Sequence, residues 1–302
     1  MPIRRALLAG LGFFALSGLA YADSVDFNTA GDLTGKFTLN NQTGTAATPG
    51  FPGFSQVASG GIGGSGAVDI TAGPSGTLDV TAIYNFQSYN PANGTIHISE
   101  YVKILTQYGD AGVVGDRLIH LGLVDDLAAN HQLNGGAPAV ADFISARIFP
   151  TAAPAAGATT GPFVWQVQAG QAPTASGPNT ATFNNAQSAA FNLILGDWYL
   201  LTVDITKSAT PNLFSVGGSL QDFGTDGLTA GATMTFAPEN SNAGATDIYA
   251  DTTVYGAFRG HALRGGADLY DNFSITQTVP EPASLGLLGL AAMALSARRK
   301  RK

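Results

Sequence analysis

Few side chains in this chain are placed to do chemistry together. Between residues 23 and 278 the glutamates are Glu100 and Glu239, far apart and with no acid two residues to either side of them. Cleaving a glycosidic bond takes two carboxylates at a set separation, one of them protonated, so the pattern argues against a glycan-cleaving enzyme. A serine hydrolase would carry its nucleophile on a Gly-x-Ser-x-Gly turn, and none occurs. His97, His120, His131 and His261 stand singly, and no His-Glu-x-x-His offers a zinc site. Gly60 to Gly66 is rich in glycine but has no lysine to reach a phosphate. There is no cysteine, which excludes disulfides and thiol nucleophiles. Calcium suits the oxygen donors present, although no Asp-x-Asp-x-Asp-Gly loop is found. No catalytic residue is expected.

Whatever site exists must be positioned by short strands. Alternating or β-branched runs occur at 24–27, 36–39, 67–70, 77–84, 95–105, 117–124, 143–149, 163–167, 191–195, 198–206, 213–220, 233–236, 253–258 and 270–276. Gly, Pro, Asn and Asp separate nearly all of them. Only 125–133 reads as a short helix. So many strands with so little helix between them predict an all-β, antiparallel sandwich or barrel. The clearest strand is 198–206, where Tyr199, Leu201, Val203 and Ile205 share one face and predict the core side. Trp198 at its start packs locally or stacks a ligand, the first being the ordinary role of a strand-edge aromatic. Segments 44–66, 150–161 and 170–185 are rich in small and turn residues and read as long surface loops.

The two ends are of a different kind. Arg4 and Arg5, the apolar run Ala6 to Leu19, and Ala20-Tyr21-Ala22 form a secretory signal peptide over 1–22, with Ala20 and Ala22 as the small residues of its cleavage site. At the other end come Val279-Pro280-Glu281-Pro282, an apolar run from Leu285 to Ala297, and five consecutive basic residues. A helix from Ala283 to Ala297 would rise ~22 Å at about 1.5 Å per residue, short of a bilayer core of about 30 Å. The basic end would stay cytoplasmic, which puts residues 23–278 outside as a single domain. A plain tail anchor and a segment meant for removal both fit that length. Of the 14 Lys and Arg, two lie in the signal and five in the tail, leaving seven in the body against 20 of the 21 acids, a net charge of −13. Such a body is a poor partner for nucleic acid or anionic lipid.

Pro280, Glu281 and Pro282, followed by a short Gly/Leu/Ala-rich helix and an arginine-rich terminus, resemble the tail of the PEP-CTERM proteins. That resemblance implies a sorting motif read by exosortase, transient insertion in the inner membrane, and removal of the short C-terminal transmembrane helix over a tail spanning 279–302. Signal peptidase would act at the other end. The product would sit at the cell envelope, cell surface or extracellular matrix of a Gram-negative bacterium, in contact with exopolysaccharide. A second resemblance rests on Val25-Asp26-Phe27 with Gly31-Asp32-Leu33, Gly196-Asp197-Trp198-Tyr199-Leu200 and Tyr270-Asp271-Asn272-Phe273-Ser274-Ile275. These look like the concanavalin-like jelly-roll domains, which often bind sugars. The resemblance implies that the first and last strands pair, bringing Asp26 and Asp271 together as a calcium site. The Glu-x-Asp-x-x-Glu strand of the jelly-roll glucanases is absent. The expectation is a non-catalytic structural or adhesive surface protein, or alternatively a lectin-like carbohydrate-binding module.

Overall fold

The computed structural model describes residues 20–42, 53–71, 78–104, 119–127, 133, 142–152, 158–171, 180–241, 246–262 and 267–278. Residues 1–19 and 279–302, and with them most of the signal peptide and the sorting tail, lie outside the described residues, as does most of the helix expected at 125–133. Among the described residues no helix is long and apolar enough to cross a membrane.

Two antiparallel sheets face each other. The first runs β14 (Thr233–Asn240), β13 (Phe214–Asp222), β12 (Trp198–Lys207), β6 (Thr95–Ile104), β16 (Ala267–Thr278), β4 (Ala67–Thr71) and β3 (Phe54–Val57). β1 (Ala20–Val25) joins this sheet on β16, beyond β4. The second runs β10 (Thr180–Gln187), β9 (Thr160–Gln171), β8 (Phe143–Pro150), β7 (Ile119–Val124), β15 (Tyr255–Ala262), β5 (Leu78–Tyr84) and β2 (Phe37–Gln42), with β11 (Phe191–Ile194) on the far end of β9. Two short helices, α1 (Asp32–Lys36) and α2 (Thr246–Ala250), fall in connections.

Period-two alternation decides which face is core. On β6, Ile96, Ile98, Val102 and Ile104 are buried while their neighbours are half-exposed. On β12, Tyr199, Leu201, Val203 and Ile205 are the buried set, as the sequence predicts, and Trp198 is buried too. Leu121, Leu123, Ile144, Ile148, Val167 and Phe258 answer from the second sheet. With no disulfide available, aromatic packing supplies much of the cohesion. Phe258 lies 5.5 Å from Phe37, 5.1 Å from Phe54 and 5.5 Å from Tyr270, and each such pair adds about 1 kcal/mol beyond its burial. Trp165 stacks on Phe236 at 4.4 Å. Gly218 makes room for that indole, because a Cβ there would meet Thr202 O at 2.1 Å and the Trp165 ring at 2.7 Å.

First and last strands do pair: Val25 lies opposite Phe273 and Ala22 opposite Thr276. Ala20, Tyr21 and Ala22 belong to β1, so cleavage after Ala22 would shorten the strand to Asp23–Val25. Asp23 is held independently of that trio, since Tyr84 Oη donates to its carboxylate and Ser274 Oγ donates to its carbonyl at 3.2 Å. Two segments expected as loops contain strands. β3 lies within 44–66, and β10 begins within 170–185. β3 is an edge strand with one buried residue, Phe54, among three half-exposed ones, so it lacks the alternation that marks a strand in sequence.

Candidate functional site

The outer face of the second sheet carries a row of polar residues in one register. Reading across the strands, Gln187 of β10 lies opposite Gln166 of β9, Gln166 opposite Arg147 of β8, and Arg147 opposite His120 of β7. His120 faces Arg259 of β15, Arg259 faces Thr81 of β5, and Thr81 faces Asn40 of β2. Because residues two apart share a face, alternation with the core residues Leu121, Ala146, Ile148, Val167 and Phe258 turns the row away from the sandwich interior. Yet its central members are buried: His120 is 0%, Arg259 1%, Thr81 2%, Gln166 3% and Arg147 6% exposed. Leu133, between β7 and β8, packs with Ile83, Val124, Phe143 and Ala257 at one end of this same face, so part of the chain crosses it.

The row is internally bonded. Arg147 Nη2 donates to Gln166 Oε1. Arg259 Nη1 lies 3.0 Å from His120 Nε2; a guanidinium only donates, so that nitrogen is the acceptor and the imidazole carries its proton on Nδ1. Gln168 and Ser145 are adjacent in the next register and equally buried. Ser145 Oγ has no hydrogen-bond partner. The face therefore holds guanidinium, imidazole, amide and hydroxyl groups in a buried polar layer, closed off from solvent rather than open to a ligand. The opposite outer face, on the first sheet, differs. Ser99, Thr202 and Ser219 lie in one row and Thr95, Thr206 and Ser215 in another, all half-exposed. Thr202 Oγ1 and Ser219 Oγ lie 2.7 Å apart. It is an ordinary solvated face.

Asp125, Asp142 and Asp251 present carboxylate oxygens within 4.8 Å of one another, at the end of β7, the start of β8 and just after α2. Burial first, and Asp142 second, push Asp125 up to about 7. These oxygens could hold a hard divalent cation. The sequence reading did not single them out, since they are brought together only by strand pairing and the return of the chain after α2.

The structure places Asp26 and Asp271 near enough that Asp26 raises Asp271, but each has its own donors. Asp271 is buried; it accepts from Ile62 N at 3.0 Å, Ser65 Oγ at 2.9 Å and Asn272 N at 2.8 Å. Burial pushes its carboxyl up, and those bonds oppose the shift. Asp26 is exposed and accepts from the backbone and side chain of Asn28, which hold it below the usual range. Glu100 points into the core between Ile98 and Val102, fully buried, with neither oxygen hydrogen-bonded. Burial and the nearby Asp271 push it well above the ordinary glutamate range.

Residues 278–302 match the model of the PEP-CTERM protein-sorting motif. The chain carries a PEP-CTERM sorting motif. This motif implies export, sorting to the cell surface in Gram-negative bacteria and processing by exosortase. β16 ends at Thr278, so the PEP-CTERM tail leaves directly from the sandwich. No curated protein matches this sequence. The body is similar to solved concanavalin-like lectin structures. They include peanut lectin, at 10% identity and a TM-score of 0.49 over 87% of this chain and 100% of that one. Basic winged bean lectin gives 11% and 0.47 over 86% and 100%. An endo-1,3-β-glucanase from Streptomyces sioyaensis gives 14% and 0.43 over 87% and 97%.

Proposed function

We propose that this is a non-catalytic structural or adhesive protein of the cell surface or exopolysaccharide matrix. The observation that carries this reading is the PEP-CTERM sorting motif over residues 278–302, which implies export to the cell surface. The non-catalytic part is supported by the placement of Glu100 in the core, away from either outer face. The PEP-CTERM tail supports the address.

The test is retention on exopolysaccharide from the protein's own host. The exported protein is expected to be retained and to release no reducing sugar. Flow-through of the folded wild-type protein would defeat the binding reading, and sugar release would defeat the non-catalytic one.

A further inference from the structure

We infer that trimming the chain after Ala22 opens the way for exosortase at the other end. It turns the last three residues of β16 from an inner strand into a free edge, which the peptidase draws out of the sheet to reach its motif. This rests on the reading that the tail is processed, and deepens it by giving the two cuts an order. Thr276, Gln277 and Thr278 pair on one side with His97, Ile96 and Thr95 of β6, and on the other with Ala22, Tyr21 and Ala20 of β1. β4 meets β16 only over residues 267–270, so among the described residues β1 is the one strand on that side of residues 276–278. A cut after Ala22 removes it there and leaves Asp23, Ser24 and Val25 opposite Ile275, Ser274 and Phe273. Those three stay fastened, Val25 in the core and Asp23 through Tyr84 and Ser274. Trimming therefore changes the pairing of the strand end and nothing upstream of it. An edge so made presents unpaired N–H and C=O groups, a template for another strand.

The sorting motif stands too close to the sheet to be read without that freedom. β16 ends at Thr278, and a single residue, Val279, separates it from Pro280. Two steps of extended chain reach at most about 7 Å, less than the about 10 Å between packed sheets. A peptidase closing around Pro280-Glu281-Pro282 therefore meets the sandwich unless the strand end comes away from it. The prolines sharpen the need. Neither has an N–H, so of residues 279–282 only Val279 and Glu281 can donate to a partner strand. Binding by strand addition draws its affinity from main-chain hydrogen bonds, and the nearest complete set belongs to Thr276, Gln277 and Thr278. Pulling those residues from an edge breaks about half the ladder bonds that pulling them from between two strands would. Beyond the β6 ladder, the end is tied by Gln277 Nε2, which donates to Asn90 O at 2.6 Å, and by Thr278 Oγ1, which donates to Thr95 O at 3.4 Å.

The experiment follows loss of the tail by mass spectrometry in the protein's own host after a pulse of synthesis. Two full-length chains are compared. One is the natural chain, trimmed to Asp23; the other carries a secretory signal cut before Ala20, with Ala22→Leu closing the original site so that residues 20–22 stay on. The second should lose its tail about tenfold more slowly, the margin of one or two backbone hydrogen bonds. In the natural chain Gln277→Ala cuts the tie to Asn90 and should speed the loss about fivefold, an arm that does not depend on the retained residues folding against β16. Equal rates for the two starts, or no acceleration by Gln277→Ala, overturn the inference and leave processing of the tail standing. A natural chain that still ends at Lys302 overturns the processing reading and this inference with it.

Discussion

At Asp125 burial and three neighbouring acids, Asp142, Asp126 and Asp251, act in the same direction, lifting its carboxyl to about 7 from an ordinary 3.8. An acid whose folded pKa is raised favours the folded state when protonated. Its contribution is present below pH 3.8 and is lost as pH rises through about 7. Asp125→Asn should therefore raise the melting temperature more at pH 8 than at pH 4. Melting curves across that range check this, and an unchanged difference between the two proteins would refute the assignment. Residue by residue, the sequence reading identified the core face of the strand that Trp198 opens, because it follows from local alternation. It passed over His120, Arg147 and Arg259, which are separated by 27 and 112 positions in the chain. Their common feature is a strand register, and a lone arginine in a strand carries no mark of it.

At the scale of the elements, the strongly alternating strands were the legible ones. β6 and β12 each place four apolar residues on one face at every second position, a series that Glu100 interrupts on β6, and such a stretch fits only one burial. β3 and β10 were hidden for a physical reason. An edge strand gains backbone pairing on one side and little burial, so it needs no alternating pattern and can be built from turn-like residues. The close approach of the sheets at Gly218 was equally hidden, since a glycine in a strand reads first as a weakness. Gly218→Val would drive a side chain against Thr202 O and the Trp165 indole. A loss of about 3 kcal/mol is expected, the upper part of the range for overpacked cores, read from denaturant midpoints. A midpoint within error of wild type would show that the sheets part there without cost.

For the molecule as a whole, the first strand begins beside the end of the last. Ala22 is opposite Thr276 in the register of β1 and β16, and Pro280 follows four residues later. Mass spectrometry of the protein from its own host should find a mature form beginning at Asp23 and ending within the Pro280-Glu281-Pro282 region. A C-terminus still at Lys302 would return the tail to a plain membrane anchor. Address and fold class were written in the chain itself, because charge runs, apolar length, proline stiffness and period-two alternation act locally. Composition likewise settled the absence of disulfides and the acidity of the body. Only the tertiary structure decided which dispersed residues meet. Pairing of β9, β8, β7, β15 and β5 lined up Gln166, Arg147, His120, Arg259 and Thr81, and the return of the chain after α2 brought Asp251 to Asp125 and Asp142. Each of these juxtapositions joins positions far apart in sequence, and no local rule of spacing reaches that far.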